Sequence, residues 1–248
     1  MIVIVLPAYN EVDSLGGLLQ GFCDAFADEH KDWRVILIDD GSSDGTGEVA
    51  AGFRERMAIE IIKHPQNKGL SESLKSGLIC AVKSSSDRDL IITMDSDGSH
   101  LPGLLFRMVR LIKEGHDVVI ASRYRPGSRI RGVSLLRRIL SIGAAVLCKI
   151  TFPIKGVRDY TCGYRAYRAS LIRKVFDEYG DEIISEPGFS CMVELLLKLN
   201  KYAPIITEVP FILRYDLKQG ESKMDVRATI KQTLWLLLKR RLGLDIKR

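Results

Sequence analysis

Two aspartates, Asp95 and Asp97, carry the strongest chemical signal in the sequence, because a single residue separates them directly after an apolar run. Carboxylates two positions apart at a strand end can each place an oxygen toward a common point. Mg²⁺ and Mn²⁺ favour such oxygen ligands, and substrate phosphates and water usually complete the coordination shell. The later glutamate of an EF-hand calcium loop is absent from the sequence here. On its own the pair is a weak signal, since turns are rich in Asp and Ser.

A second acidic pair, Asp39 and Asp40, follows another apolar run. A carboxylate at the end of a buried strand must be solvated, hydrogen-bonded or facing a ligand, and here it can accept from a base or a ribose hydroxyl. The alternative is an Asx-rich turn over residues 42–47, in which Asp44 or Thr46 caps the next helix. That turn is compatible with any function.

Two enzyme motifs in the same segment are incomplete. Residues 41–45 match the G-x-S-x-G of a hydrolase, but the usual late histidine is missing, because the last histidine is His116. Residues 45–50 match a dinucleotide fingerprint that begins too far beyond the strand. We therefore disfavour a serine hydrolase and a nicotinamide or flavin enzyme. His100 stands beside the aspartate pair. The other histidines show no metal spacing and are interpreted as surface or loop residues: His30, His64 and His116.

The net charge is +6, and its distribution is more informative than its size. Residues 118–158 include no acidic residue and many basic ones: Arg123, Arg125, Arg129, Arg131, Arg137, Arg138, Lys149, Lys155 and Arg158. Such a segment attracts phosphate from a nucleotide, a lipid head group or a nucleic acid, although a solvated basic face is the simpler alternative. We expect no nucleic-acid partner, because neither an aromatic stacking platform nor a known reading motif accompanies the arginines.

The composition is that of a globular protein. The chain has 248 residues, 46% of them hydrophobic and 27% charged, which excludes disordered, collagen-like and disulfide-scaffold classes. Its five widely spaced cysteines indicate reduced thiols in a cytosolic protein. We expect no signal peptide and no transmembrane span, because no apolar stretch approaches the roughly 20 residues that a span requires.

The elements that must position these residues alternate regularly in the first half. Short runs rich in β-branched residues predict strands at 2–6, 34–38, 59–63, 90–94 and 117–121, with helical periodicity between them. The pattern predicts an α/β fold with a mostly parallel, twisted sheet flanked by helices. Ligands bind beyond the carboxyl ends of such strands, so we expect both acidic pairs to share one crevice.

The second half is less regular. It predicts amphipathic helices at 134–152, 190–199 and 226–240, and a strand at 205–213 that Pro210 interrupts. The last helix should carry four apolar residues on one side: Ile230, Leu234, Leu237 and Leu238. The amphipathic helices either pack on the sheet or lie in a membrane interface with their basic residues on anionic lipid.

Taken in order, the motifs resemble those of a known family. Residues 6–11 (LPAYNE), 38–46 (IDDGSSDGT) and 94–102 (MDSDGSHLP) are similar to the nucleotide-sugar half of family 2 glycosyltransferases, which have the GT-A fold. Four further segments resemble the dolichol-phosphate mannose synthases and related polyprenyl-phosphate glycosyltransferases: residues 122–124, 137–141, 159–165 and 220–224. The resemblance covers nearly the whole chain.

The resemblance implies a metal-dependent inverting transferase that moves a hexose, with mannose favoured, from a nucleoside-diphosphate sugar to a polyprenyl or dolichyl phosphate. GDP-mannose is the favoured donor and a UDP-sugar the alternative. The enzyme would be peripheral on the cytoplasmic face of an anionic membrane. A hydroxyl (glycan) acceptor and a non-catalytic binding protein are the competing hypotheses. The implied domains are a glycosyltransferase domain at 1–225, with a nucleotide-sugar half at 1–121 and an acceptor half at 122–225, and a basic amphipathic helix and tail at 226–248.

The resemblance also assigns roles to individual residues. Donor binding is implied for Pro7, Tyr9, Glu11, Ile38, Asp40, Asp95, Ser96 and Lys223. Mg²⁺ or Mn²⁺ would be held by Asp95, Asp97 and Ser99. The acceptor phosphate would meet Arg123, Arg137 and Ser141. The catalytic residues would be Asp97, Arg123 and Lys223, the last closing over the donor from a loop.

Two positions depart from the family pattern. Ser96 stands where family members usually have alanine, and we expect tolerance there. The mannose synthases have an arginine six residues before the lysine corresponding to Lys223, whereas this chain has Leu217, with Arg214 and Lys218 nearby. The sequence therefore leaves open which cation takes the place of that arginine and which sugar is transferred.

The acceptor class decides whether a base is required. A phosphate acceptor is already ionised at neutral pH, and arginine forks can orient its oxygens. A hydroxyl acceptor would need a carboxylate base, for which Glu186 and Glu194 are the candidates.

Overall fold

The computed structural model describes residues 1–27, 32–218 and 226–242. A seven-stranded sheet forms its centre, in the order β3-β2-β1-β4-β7-β5-β8, and β6 pairs with β9 in a separate parallel ribbon. The strands are β1 (Ile2–Ala8), β2 (Trp33–Asp39), β3 (Ile59–Lys63), β4 (Leu90–Thr93), β5 (Val118–Ser122), β6 (Arg129–Arg131), β7 (Arg165–Arg168), β8 (Ile206–Pro210) and β9 (Ile212–Arg214). The five strands predicted in the first half are confirmed within one or two residues at each end.

Helices flank the sheet, as the apolar periodicity predicts. They are α1 (Val12–Phe26), α2 (Thr46–Ala51), α3 (Leu70–Lys83), α4 (Leu104–Lys113), α5 (Leu135–Thr151), α6 (Ala169–Tyr179), α7 (Ser190–Asn200) and α8 (Val226–Arg241). The three helices predicted in the second half correspond to α5, α7 and α8. Within the described residues, no helix is both long and apolar enough to cross a bilayer.

The central strand β1 is the best-buried element of the core. It lies between the parallel strands β2 and β4, and Val3, Ile4, Val5 and Leu6 are fully buried. Helix α3 packs closely on this strand at Gly77, where a Cβ atom would lie 2.3 Å from the Val5 Cγ1 atom. The sheet thereby fixes the carboxyl ends of β1, β2 and β4 relative to one another.

Strand β7 breaks the parallel pattern and is not predicted by the sequence. It runs antiparallel between β4 and β5, with Thr93 opposite Arg165. Because of this direction, the residues preceding β7 emerge at the carboxyl end of β4, where Thr93 Oγ1 donates to the carbonyl oxygen of Gly163 at 2.7 Å. Residues 159–164 therefore lie beside the Asp95–Asp97 pair.

Helix α5 does not bury its apolar side on the sheet. Leu135 is 71% exposed and Ile150 is 75% exposed, whereas only Ala145 and Cys148 of this helix are buried. The side chain of Ser134 caps its first turn by accepting from the Arg137 backbone N–H. The helix thus presents an apolar surface that the rest of the described chain leaves uncovered.

Helix α8 packs against α5, and the apolar residues predicted on one of its sides differ in burial. Leu236 and Leu237 are buried, whereas Leu234, Trp235 and Leu238 are about half exposed. The helix therefore carries apolar residues on its buried and on its exposed face, and the side shared by the four named residues stays a prediction. The side chain of Ile230 lies outside the described residues.

Candidate functional site

A cavity of about 670 Å³ opens at the carboxyl ends of the central strands. It brings together most of the predicted site residues: Pro7, Tyr9, Glu11, Asp40, Asp95, Ser96, Asp97, Ser99, Arg123, Arg137 and Ser141. Residues that are far apart in the sequence therefore surround one space.

We name two sides of this cavity by their residues. The acidic wall comprises Glu11, Asp40, Asp95 and Asp97, which follow β1, β2 and β4. The basic wall comprises Arg123, Arg137 and Arg138 with the apolar side chains of Ile130, Val133, Leu140, Ile142 and Leu213.

Two predicted donor-binding residues are located differently. Ile38 is fully buried and is not among the described residues that line the cavity. It packs toward α3, where a Cβ atom on Gly77 would lie 3.3 Å from Ile38 Cγ1. Lys223 lies outside the described residues, so its predicted role in closing over the donor stays a prediction.

Asp40 is held in place by the loop that follows β3. Its Oδ1 atom accepts from His64 Nδ1 at 2.6 Å and from the Lys68 backbone N–H at 3.0 Å, and Oδ2 accepts from the Gly69 N–H at 2.7 Å. His64 is buried and also contacts Ser76 Oγ at 3.0 Å. Of the two interpretations of His64, as a surface or a loop residue, the loop is confirmed, because His64 directly follows β3. The surface is not, because its ring is buried against Asp40.

Asp97 has both carboxylate oxygens occupied by protein donors. Oδ1 accepts from the backbone N–H and the hydroxyl of Ser99 at 3.0 and 2.5 Å, and Oδ2 accepts from Lys218 Nζ at 2.8 Å. Burial opposes ionisation, but the Lys218 charge and these hydrogen bonds outweigh it and lower the pKa of Asp97. Among the described residues, Lys218 is thus a cation beside the acidic pair, whereas Leu217 is exposed and Arg214 pairs with Asp216.

Asp95 differs from Asp97 because its carboxylate accepts no hydrogen bond from the described residues. Its backbone N–H donates to His100 Nδ1 at 3.1 Å, and His100 Nε2 lies 3.7 Å from Asp95 Oδ2. The side chain is 32% exposed. Burial, together with the negative charge of Asp97, raises the pKa of Asp95.

The carboxylates of Asp95 and Asp97 could supply part of the ligand set of a divalent cation. Among the described residues, no group of three or more His, Cys, Asp or Glu side chains could hold a metal ion. The open Asp95 carboxylate has the oxygen chemistry that Mg²⁺ and Mn²⁺ prefer. At Gly163 a Cβ atom would lie 3.2 Å from Asp95 Oδ1, so glycine keeps this carboxylate uncrowded. Substrate phosphates and water would have to supply the remaining ligands.

Arg123 is anchored by a buried carboxylate that the sequence analysis missed. Its Nε and Nη2 atoms donate to Asp159 at 2.8 and 2.7 Å, and Nη2 also donates to Thr161 Oγ1 at 2.6 Å. Asp159 is fully buried. Burial alone would raise its pKa, but the Arg123 charge and hydrogen bonds lower the pKa of Asp159. The bidentate geometry fixes the guanidinium plane at the cavity.

Arg137 is held more loosely, on the first turns of α5. Its Nη1 atom donates to the Tyr215 hydroxyl at 3.1 Å. One turn further along the helix, the Ser141 hydroxyl contacts the Tyr124 hydroxyl at 2.7 Å. The basic wall therefore combines hydroxyl groups and arginines with apolar side chains, a combination suited to an anion carried on a hydrocarbon chain.

The two carboxylates predicted as alternative bases lie elsewhere. Glu194 is fully buried and accepts hydrogen bonds from Ser185, the Glu186 N–H and Lys198. Glu186 pairs with Lys239 at 2.6 Å. Neither is among the described residues that line the cavity.

Residues 3–176 match the family model described as "Glycosyl transferase family 2". The chain belongs to this family. It is therefore a glycosyltransferase.

Two characterised relatives are similar to this glycosyltransferase over most of its length. The dolichol-phosphate mannosyltransferase of Pyrococcus furiosus is 29% identical over 89% of this chain, which spans only 58% of that relative's length. The undecaprenyl-phosphate mannosyltransferase of Micrococcus luteus is 30% identical over 98% of this chain and 97% of its own.

Solved structures confirm the GT-A fold of this glycosyltransferase. A mycobacterial protein superposes with a TM-score of 0.72 at 20% identity, covering 98% of this chain and 75% of that protein. Glucosyl-3-phosphoglycerate synthase from Mycobacterium tuberculosis, solved with Mn²⁺ and UDP, superposes with a TM-score of 0.67 at 19% identity, covering 100% and 81%. At this identity the likeness establishes the fold alone.

Proposed function

We propose that this glycosyltransferase transfers a hexose from a nucleoside-diphosphate sugar to a polyprenyl or dolichyl phosphate, with inversion at the anomeric carbon. The observation that carries the proposal is the cavity with an acidic wall and a basic, apolar wall. The names of the Pyrococcus furiosus and Micrococcus luteus relatives favour mannose as the sugar and a lipid phosphate as the acceptor. GDP-mannose is the favoured donor, with a UDP-sugar as the alternative.

The acidic wall is suited to the donor diphosphate. Asp95 and Asp97, with Ser99, would hold Mg²⁺ or Mn²⁺, which stabilises the negative charge that develops on the leaving nucleoside diphosphate. Four further residues predicted to bind the donor line the same cavity: Pro7, Tyr9, Glu11 and Asp40. Asp40 is already rigid through its bonds to His64 and the Gly69 N–H, so binding would require little further ordering of this side chain.

The basic wall is suited to the acceptor phosphate. Guanidinium groups bind phosphate oxygens in a fixed fork, and Arg123, Arg137 and Ser141 all line the cavity. A phosphate oxygen attacks the anomeric carbon, and the bond from that carbon to the diphosphate breaks with its electron pair remaining on the diphosphate. No proton has to be removed from the acceptor, because its phosphate is ionised at neutral pH.

A hydroxyl acceptor is the weaker hypothesis. It needs a carboxylate base within hydrogen-bond reach of the attacking oxygen. Among the described lining residues, every carboxylate belongs to the acidic wall, and Glu186 and Glu194 are engaged elsewhere. The basic wall therefore favours an acceptor that brings its own negative charge.

We also propose that α5 and α8 rest on an anionic membrane at its cytoplasmic face. The two helices are in contact, and both carry exposed apolar side chains: Leu135, Leu136, Ile139, Ile142, Val146, Ile150, Leu234, Trp235 and Leu238. Arg138 and Lys149 on α5 and Arg241 on α8 add positive charge. An apolar helical face with basic neighbours is typical of interfacial helices. In this orientation a prenyl chain could extend from the cavity into the lipid.

The proposal is tested by a donor screen. The full chain is incubated with Mn²⁺, a polyprenyl phosphate and radiolabelled nucleotide sugars of guanine and uracil, and the label in the extracted lipid is counted. We expect label in the lipid from one donor class, with GDP-mannose favoured. Turnover of a donor with no label in the lipid would contradict the proposed acceptor.

A further inference from the structure

Lys218 holds an unusual position for a cation beside a metal-binding carboxylate. Its Nζ atom lies 2.8 Å from Asp97 Oδ2, and both side chains are only 11% exposed. The Tyr215 ring lies below the ammonium, with its centroid 5.6 Å from Nζ. This is a close, largely desolvated ion pair rather than a surface contact, so water screens it weakly.

The backbone that carries Lys218 is attached to the loop that carries Asp97. The Arg214 N–H donates to the Ser99 carbonyl oxygen at 3.1 Å, and the Leu217 carbonyl oxygen lies 4.0 Å from where a Gly98 Cβ would be. The backbone of residues 214–217 therefore positions the Lys218 side chain next to Asp97. The contact is built into the fold.

The two aspartates are consequently unequal. Both oxygens of Asp97 already accept from Ser99 or Lys218, whereas the carboxylate of Asp95 accepts from none of the described residues. Because Lys218 contacts Asp97 Oδ2, a divalent cation held by Asp95 and Asp97 would compete with Lys218 for the Asp97 carboxylate. A metal ion alone therefore competes against a charge already in place.

We propose that Lys218 is an internal counter-cation. Its ammonium pairs with the Asp97 carboxylate in the absence of nucleotide and leaves that carboxylate when metal and donor bind together. The inference rests on the proposed function. A lysine has three donors on a flexible stem, so its ammonium can move from the carboxylate to a phosphate oxygen without displacing the backbone. The donor diphosphate supplies the negative charge that Lys218 loses. The affinity for the metal ion is thereby low without nucleotide and increases when the nucleotide binds.

The test measures Mn²⁺ affinity of the full chain without nucleotide, by calorimetry or by the electron paramagnetic resonance signal of free Mn²⁺. Lys218→Gln removes the charge and should bind Mn²⁺ at least about ten-fold more tightly than the wild type, because a desolvated competing charge is lost. Lys218→Arg keeps the charge and should stay close to the wild type. Lys63→Gln, a matched change at an exposed lysine beside Asp39, controls for net charge.

The outcomes separate this inference from the proposed function. Asp97→Asn should abolish Mn²⁺ binding in both the wild-type and the Lys218→Gln background. If it does, and Lys218→Gln binds no more tightly than the wild type, the metal site stands and the Lys218 inference is overturned. If Asp97→Asn still binds Mn²⁺, the metal is not held at Asp97 and both fail. Circular dichroism checks folding, and Lys218→Met carries the same expectation should the glutamine variant be unstable.

Discussion

The two walls of the cavity are built in opposite ways. On the acidic wall, Asp40 and Asp97 follow buried parallel strands, and protein donors fix every carboxylate oxygen of these two residues. On the basic wall, Arg137 lies on a helix whose outer face is exposed, and its guanidinium donates to the Tyr215 hydroxyl. Arg123 is the exception, since Asp159 fixes it as firmly as any residue of the acidic wall.

This difference matches the two proposed substrates. A nucleotide sugar is a compact, defined ligand, and a rigid, pre-ordered site binds it at the smallest entropic cost. A polyprenyl phosphate combines one charged group with a long flexible chain. A helix that exposes apolar residues beside its arginines can accommodate that chain without forming a closed pocket.

The largest effect is expected for Asp97→Asn. Loss of this carboxylate charge should lower kcat by about 100-fold or more, because metal stabilisation of a leaving group contributes several kcal/mol. The measurement is turnover as a function of Mn²⁺ concentration. Asp87→Asn, at an exposed carboxylate paired with Arg173, is the matched control and should retain full activity. Near-normal turnover of Asp97→Asn would remove the metal from the acidic wall.

The second prediction concerns the stability of the basic wall. Arg123→Met leaves Asp159 buried without its partner, which should lower the free energy of unfolding by about 3–5 kcal/mol at neutral pH. Urea denaturation measures this. Adding Asp159→Asn should recover part of the loss, since the stranded charge is then gone. Equal stability of Arg123→Met and the wild type would show that the Arg123–Asp159 ion pair does not form in solution.

The same pair has a defined pH dependence. The folded state lowers the pKa of Asp159 below its ordinary value of 3.8, so the unfolded chain takes up its proton first. The stabilisation is therefore complete above that ordinary value and is lost as the pH falls through the lowered folded pKa. The difference in stability between the wild type and Arg123→Met should be largest at neutral pH and shrink under acid conditions. A difference independent of pH would contradict the ion pair.

A third prediction separates acceptor from donor. Arg137→Gln should lower kcat/KM for polyprenyl phosphate by about ten-fold, the loss of roughly one charge-assisted hydrogen bond to phosphate. The KM for the nucleotide sugar should not change. Arg110→Gln, on the exposed face of α4, is the control. A change confined to the donor KM would reverse the assignment of the two walls.

Much of the acidic wall could be predicted from sequence, because its signals are local. Strand and helix periodicity located β1, β2 and β4, and the rule that ligands bind at their carboxyl ends placed Asp40, Asp95 and Asp97 in one crevice. The five cysteines are free thiols in the structure, as expected. The division of the chain at residues 121 and 225 stays a prediction.

The remaining features depend on contacts between distant residues, which periodicity does not report. The antiparallel strand β7 inserts between β4 and β5, and it brings Asp159 to Arg123. Lys218 reaches Asp97 across 121 positions of sequence. The burial of His64 in its loop was not predicted for the same reason, since its partner Asp40 follows a neighbouring strand. The quoted motif at residues 159–165 was the one signal that could have pointed to Asp159.

The smallest effect is expected at the surface of α5. Ile150→Ser changes an exposed side chain, so stability should change by less than about 0.5 kcal/mol. Flotation with vesicles that contain anionic lipid should fall by a few-fold, since about one buried apolar side chain is lost from the interface. Ile205→Ser, at an exposed isoleucine just before β8, should float like the wild type. Flotation that depends neither on the salt concentration nor on the anionic-lipid content of the vesicles would contradict the membrane assignment of this face.

The most direct measurement compares two acceptors that differ in one group. The full chain is given Mn²⁺, the preferred nucleotide sugar and either a polyprenyl phosphate or the same polyprenol without its phosphate. If the acidic and basic walls serve one reaction, labelled sugar should appear in the phosphorylated lipid and at most at background level in the alcohol. Equal transfer to the alcohol, or transfer to a glycan hydroxyl with none to the lipid phosphate, would contradict the account.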